Sequence, residues 1–279
     1  MDELKIKWYG TASILLDYNG NRILFDPFFP LNKKVFMPDI DEFAAVEHIF
    51  VSHGHFDHIA DIPAVVVHGG GKAAVYCTEK PAQALVFKGL DKKNIRIIKP
   101  GDKVEVPSID VPSLEVPSID VPAFKVNVFQ GRHIMFNKWL IIKTFLNPRL
   151  LIHWANLMHI LKEGKHCEEG GETLVYEIIL KEFRIMILGS LNLDENTEYP
   201  KEPDLLIMPF QGRSDICTYA MQFIEKLMPK KIMLDHFDNS FPPISSEVKI
   251  APFLENMKKV FPDIPVIIPR AGTPIHTCF

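Results

Sequence analysis

The chain has 279 residues, 47% of them hydrophobic and 24% charged, with a net charge of -4. That balance excludes a disordered, collagenous or low-complexity protein and leaves ample chain for a large core. With no basic field to draw in nucleic acid or an anionic membrane, no nucleic-acid partner is expected. Nor does an apolar run reach the roughly 20 residues of a membrane span. Cys77, Cys167, Cys217 and Cys278 are scattered without a C-x-x-C pair, and the opening MDELKIKWYG lacks the apolar core of a secretory signal. Both features point to free thiols and a cytoplasmic location.

In chain order, IKWYGTASILLDYNGNRILFDPFF reads as two or three strands, with Asn19-Gly20 as a tight turn between apolar runs. Ile49 to Ser52 is a short buried strand. AAVYCTEKPAQALVFKG predicts a strand and then a helix beginning near Pro81, and NIRIIKPGDKVEV a strand, a turn and a strand. TLVYEIILKEFRIMILGS gives two more strands. PDLLIMPF and KKIMLDHF are further buried strands, followed by helices near Ile216 to Met228 and Ser245 to Val260. A strand-rich first half and an alternating second half predict an α/β sandwich with its helices outside, built as one domain over residues 1–279.

Two segments interrupt this pattern. Residues 106–126 write a five-residue proline repeat four times, with Pro107, Pro112, Pro117 and Pro122. Regular loss of a backbone donor forbids a central strand, so a duplicated edge strand or loop is expected. Residues at about 137–165 are strongly apolar, and Asn147-Pro148 marks a junction between two helices. Leu150, Trp154, Leu157 and Leu161 fall at helical spacing, flanked by Lys138, Lys143, Arg149, Lys162 and Lys165. Such an insertion packs on the body, forms a contact in a homo-oligomer, or serves as a lid or a surface for a lipid-like partner.

The chemistry concentrates in VSHGHFDH, which places His53, His55, Asp57 and His58 within six positions after a buried strand. Neutral imidazole is the commonest protein ligand for zinc and also suits iron, and strand-end loops are where sites are built. His53 and His55 can face one ion, and Asp57 and His58 a second. Further ligands must come from elsewhere. His133 and His236 share one context, an apolar strand, then His, then a polar turn. Asp26, in ILFDPFF, either orients a metal-bound histidine from behind or simply forms an Asp-Pro turn. Arg132 and Arg213 are candidates to bind a substrate phosphate or carboxylate, or else are structural ion-pair partners.

VSHGHFDH, the upstream ILFDPF, His133 and the late His236 resemble, in chain order, the metallo-β-lactamase-fold hydrolase superfamily. The opening WYGTASILL is similar to that of its ascorbate-6-phosphate-lactonase-like branch, although Thr11 stands where many of those proteins carry histidine. The resemblance implies a four-layer αββα sandwich with the site at one edge of the two sheets. It implies one metal held by His53, His55 and His133 and a second by Asp57, His58 and His236. Where the superfamily carries a bridging aspartate after a strand and glycine, this chain has Ser190, in IMILGSLNLDE. A neutral hydroxyl bridges two dications poorly. A weakened second metal is expected, a single metal or replacement by Asp194 or Glu195 being the alternatives. The expected protein is a hydrolase of a small ester, lactone, amide or phosphodiester, with one or two divalent ions, zinc ahead of manganese or iron. A metal with an open position lowers the pKa of bound water, and Asp57 is the residue placed to orient that water. An iron redox protein, or a non-catalytic metal binder, on the same scaffold is the competing reading.

Overall fold

Asn19 and Gly20 both take positive φ, 52° and 87°, the twist that a two-residue hairpin turn requires. They join β2 (Ile14–Tyr18) to β3 (Asn21–Phe25), and β1 (Glu3–Trp8) pairs with β2 on the other side, so the opening segment is a three-stranded antiparallel meander. The computed structural model describes residues 3–108, 122–135, 149–164 and 172–278. The proline repeat between 109 and 121 and the first helix expected in the apolar insertion lie outside the described residues.

From β3 the first sheet continues in parallel through β4 (His48–Phe50), β5 (Ala74–Cys77) and β6 (Ile95–Ile97). The second sheet begins with β7 (Lys103–Val106), β8 (Phe124–Gln130), β9 (Leu174–Leu180) and β10 (Phe183–Leu188), all antiparallel, and continues in parallel through β11 (Leu205–Pro209), β12 (Ile232–Asp235) and β13 (Val266–Ile267). The last strand, β14 (Pro274–Cys278), returns to pair with β1. Among the described residues each sheet has seven strands. The strand, turn, strand of NIRIIKPGDKVEV is therefore the passage from one sheet to the other. The proline repeat joins β7 to β8, adjacent antiparallel strands at the edge of the second sheet.

Three apolar layers make four structural layers. Alternate residues of the two sheets, Leu4, Ile6 and Trp8 facing Phe124, Tyr176 and Ile207, fill the space between them. Outside the first sheet pack α1 (Ile40–Ala44), α2 (Phe56–Ile59), α3 (Ile62–His68) and α4 (Glu79–Phe87). The insertion contributes α5 (Arg149–Ile152) and α6 (Trp154–Gly164). Outside the second sheet pack α7 (Ile216–Tyr219), α8 (Met221–Leu227) and α9 (Ala251–Val260). Strands covered on both faces lose their alternation, and β11 is buried at all five positions. This is the αββα sandwich expected from the sequence.

The last helix departs from expectation: it starts at Ala251, not near Ser245. Pro252 occupies its first turn, where a missing N–H costs nothing. The preceding segment is held by other bonds. The Phe241 amide donates to Ser245 Oγ at 2.7 Å, and the Val248 amide to the Phe237 carbonyl at 2.9 Å. The insertion docks through α6, whose Ile160 packs with Phe28 and Phe241 and whose Asn156 amide donates to the Pro242 carbonyl at 3.1 Å. Glu163 pairs with Lys88.

Candidate metal centre and adjoining cavity

The residues that carry the chemistry leave the same end of both sheets. Asp26 follows β3, Ser52 and His53 follow β4, His133 follows β8, Ser190 follows β10 and His236 follows β12. His55 stays extended as the N-cap of α2, and that single helical turn carries Asp57 and His58. The two sheets are tied together here: the Leu174 amide donates to the Ser52 carbonyl at 2.8 Å, and Tyr176 Oη donates to the Val51 carbonyl at 2.5 Å. Gly189 permits the close approach, since a Cβ there would stand 2.5 Å from both the Leu174 carbonyl oxygen and Ser52 Cβ.

Two groups of three donors result. His53, His55 and His133 bring one ligand atom each within 4.8 Å of one another, and so do Asp57, His58 and His236. The groups are neighbours, with the His53 and His58 ring centres 3.9 Å apart. The six ligands that the resemblance implies thus fall into two adjacent clusters of three.

The hydrogen bonds behind the rings orient them. Asp26, 2% exposed, accepts from the Ser52 amide at 2.8 Å, from Ser52 Oγ at 2.5 Å and from His58 Nδ1 at 2.8 Å. A carboxylate only accepts, so His58 carries a proton on Nδ1, which leaves Nε2, 3.6 Å from Asp57, as the nitrogen that can meet an ion. With its own hydrogen committed to Asp26, Ser52 Oγ accepts from His53 Nδ1 at 3.0 Å. His133 Nδ1 donates to the Ile134 carbonyl at 2.9 Å, which puts the proton of the neutral ring on Nδ1. Ser52 is the functional residue the sequence reading missed. Its signal was its position directly before the histidine cluster.

The two clusters differ electrostatically. Burial holds His53 well below the usual imidazole range, aided by repulsion from the neighbouring rings, and burial lowers His55 and brings His133 down to about 4. This trio is neutral, with lone pairs directed at a common space, and His53 Nε2 and His55 Nδ1 face each other at 3.0 Å. In the second cluster burial opposes charge but is outweighed. The His58 and His236 rings hold Asp57 well below the carboxylate range, while Asp57 and Asp26 raise His58. For His236, burial again opposes, but the hydrogen bond from its Nε2 to Asp57, 3.1 Å long, pushes it up to about 9. His236 Nδ1 is buried without a hydrogen-bond partner. A cation fits both observations, relieving the facing lone pairs of the first cluster and neutralising the carboxylate of the second.

Ser190 is 5% exposed, and its Oγ accepts from the Ile134 amide at 2.9 Å, so it fastens the segment carrying His133. Neither alternative carboxylate reaches the centre. Asp194 pairs with Arg132 at 3.0 Å, and Glu195, with its side chain 84% exposed, stands 3.7 Å from the same guanidinium. Arg132 is thus paired with Asp194 and Glu195 and is not among the described residues that line the cavity. Arg213 does line the cavity, yet its Nε and Nη2 hold Asp215 at 2.7 Å each and its Nη1 donates to the Met135 carbonyl at 3.1 Å.

The cavity, about 410 Å³, has both clusters, Ser190, Gln211, Arg213 and Ser246 among its polar lining. Its remaining wall is largely apolar, from Phe56, Ile134, Ile160, Leu161, Phe241, Ile244 and Val248.

The family described as "Beta-lactamase superfamily domain" matches residues 21–139, which contain Asp26, the histidine cluster and His133. A "UPF0173 metal-dependent hydrolase" of Azorhizobium caulinodans is 44% identical over 64 residues, covering 23% of this chain and 27% of that protein. The chain thus spans about a quarter of the length of that curated relative. Whole-chain likeness comes from solved structures. The metallo-β-lactamase fold protein YhfI of Bacillus subtilis superposes with a TM-score of 0.60 at 13% identity, over 99% of this chain and 100% of that one. Igni18, a metallo hydrolase of Ignicoccus hospitalis, gives 0.62 at 14% identity, over 99% of each chain. With the likeness to these structures running from end to end, the chain has the metallo-β-lactamase fold, and the family match falls on the segment that builds the centre.

Proposed function

We propose that the protein is a metal-dependent hydrolase of a small ester, lactone, amide or phosphodiester, acting in the cytoplasm with zinc, or else manganese or iron. The observation that carries this reading is the pair of adjacent three-donor clusters at the floor of one cavity. His53, His55 and His133 would hold one divalent ion, and Asp57, His58 and His236 a second. When bound, such ions supply Lewis acidity and a water of lowered pKa. Asp57, kept anionic by its imidazole neighbours, orients the attacking water and accepts a hydrogen bond from it. Asp26 and Ser52 hold His58 and His53 in the tautomers that leave a ligand nitrogen free. The Ser190 hydroxyl brings no charge to the centre, which supports one tight ion and one weaker ion.

The test is metal analysis of protein purified without added metal, together with His55→Ala. The variant is expected to lose the ion of the first cluster and all hydrolysis of an ester, lactone and phosphodiester panel. Undiminished turnover by this variant would end the proposal.

A further inference from the structure

Outside the two donor clusters, the cavity has one cationic side chain among its described lining residues, and that cation is already committed. Arg213 holds Asp215 through two bonds of 2.7 Å and the Met135 carbonyl through a third, and its guanidinium lies over the Tyr219 ring at 4.2 Å. A substrate with an anionic tail would find no free partner on this wall. The Gln211 amide is committed too, donating to the Asp238 carbonyl at 3.1 Å and the Ser246 carbonyl at 2.8 Å.

What the wall offers is hydrocarbon from two directions. On one side α6 presents Ile160 and Leu161; on the other, the segment before α9 presents Phe241, Ile244 and Val248. The two sides are joined, because Ile160 packs against Phe241 and Asn156 donates to the Pro242 carbonyl. At the mouth, Leu161 is 58% exposed and Ile244 46% exposed, so apolar surface at the cavity rim faces water. A cavity of about 410 Å³ lies within the roughly 300–1,000 Å³ of small-molecule sites.

We propose that this cavity is an acyl pocket, which takes the hydrocarbon chain of a carboxylic ester or lactone between Ile160 and Leu161 of α6 and Phe241, Ile244 and Val248 opposite, with the carbonyl over the two donor clusters. The proposal rests on the hydrolase reading and narrows it from four bond types to carboxylic esters. In the reaction the water oxygen bonds to the acyl carbon, the bond from that carbon to the leaving oxygen breaks, and the water proton ends on the leaving alkoxide or phenolate.

The experiment pairs hydrolysis with binding. p-Nitrophenyl esters from acetate to decanoate, and bis(p-nitrophenyl) phosphate, are assayed with the metal-loaded full-length protein. Methyl ketones of the same chain lengths are titrated calorimetrically into metal-free protein. Each added methylene is expected to raise kcat/KM for the esters, and affinity for the ketones, about fourfold until the pocket is full. Leu161→Asp and Ile244→Asp, at side chains already half in water, are each expected to lower the decanoate-to-acetate ratio at least tenfold. A flat ketone series overturns the acyl pocket whatever the esters do. A phosphodiester cleaved with higher kcat/KM than every ester also overturns it. Ketone binding that follows chain length with no bond in the panel cleaved supports the pocket and overturns the hydrolase reading instead.

Discussion

Asp26→Asn keeps the size of the side chain and reverses what its second atom can do. With Asn Oδ1 still accepting from the Ser52 amide, Nδ2 replaces the oxygen that now accepts from Ser52 Oγ at 2.5 Å and from His58 Nδ1 at 2.8 Å. Both former donors must become acceptors. His58 then carries its proton on Nε2, the atom turned toward Asp57, and ceases to be a ligand. Ser52 turns its hydrogen onto His53 Nδ1, 3.0 Å away, which moves the His53 proton to Nε2 as well. One substitution in contact with neither ion thus disables a ligand in each cluster. Loss of such orienting partners typically costs 10- to 100-fold in metal affinity, about 1.4–2.7 kcal/mol per ion. The metal-free protein should lose only about 1–3 kcal/mol, because the buried groups keep partners. Competition with a chromophoric chelator measures both affinities, and urea unfolding of the metal-free protein measures the cost to the fold. If Asp26→Asn binds both ions within threefold of the parent, the tautomer argument is wrong.

Ser190→Asp restores a carboxylate beside the two clusters while keeping an acceptor for the Ile134 amide, and it should tighten the weaker ion at least tenfold by the same chelator competition; unchanged affinity would show that charge at this position is not what limits it. Gly189→Ala drives a methyl group to 2.5 Å from the Leu174 carbonyl oxygen and Ser52 Cβ, so it should lose about 2–3 kcal/mol in urea unfolding, with metal affinity falling too as Ser52 is pushed aside. Asp61, whose carboxylate accepts from the Phe29 amide at 2.7 Å, is raised by burial to about 6 from 3.8. Its folded pKa is above its unfolded one, so its contribution is full below pH 4 and is lost as pH rises through about 6, by at most about 3 kcal/mol. Asp61→Asn keeps the acceptor for Phe29, and its stability relative to the parent should rise between pH 4 and pH 7; a constant difference across that range would refute the assignment.

Much of the centre was legible because it is local. Four candidate ligands lie within six residues of one another, and the spacing alone brings them to one loop. The Asn19-Gly20 hairpin was legible for the same reason, since its twist is a property of two residues. His133 and His236 were found by a weaker rule, a histidine at the end of an apolar strand, which works because parallel strands deliver their ends to one edge. Arg132 and Arg213 show where that rule stops. Both follow strands, yet one pairs with surface carboxylates and the other lines the cavity with its hydrogen bonds spent.

By itself the sequence determined the strand content, the candidate ligand types of the histidine cluster and the proline repeat that no central strand accepts, because each depends on residues close together in the chain. Tertiary structure alone decided that β6 and β7 belong to different sheets, that Ser52 relays Asp26 to His53, and that Ser190 holds the segment carrying His133. It also decided that α6 and the segment before α9 meet over the centre to make an apolar wall. Those contacts join residues tens to over a hundred positions apart, and their partners are chosen by how two sheets pack, which no local pattern encodes.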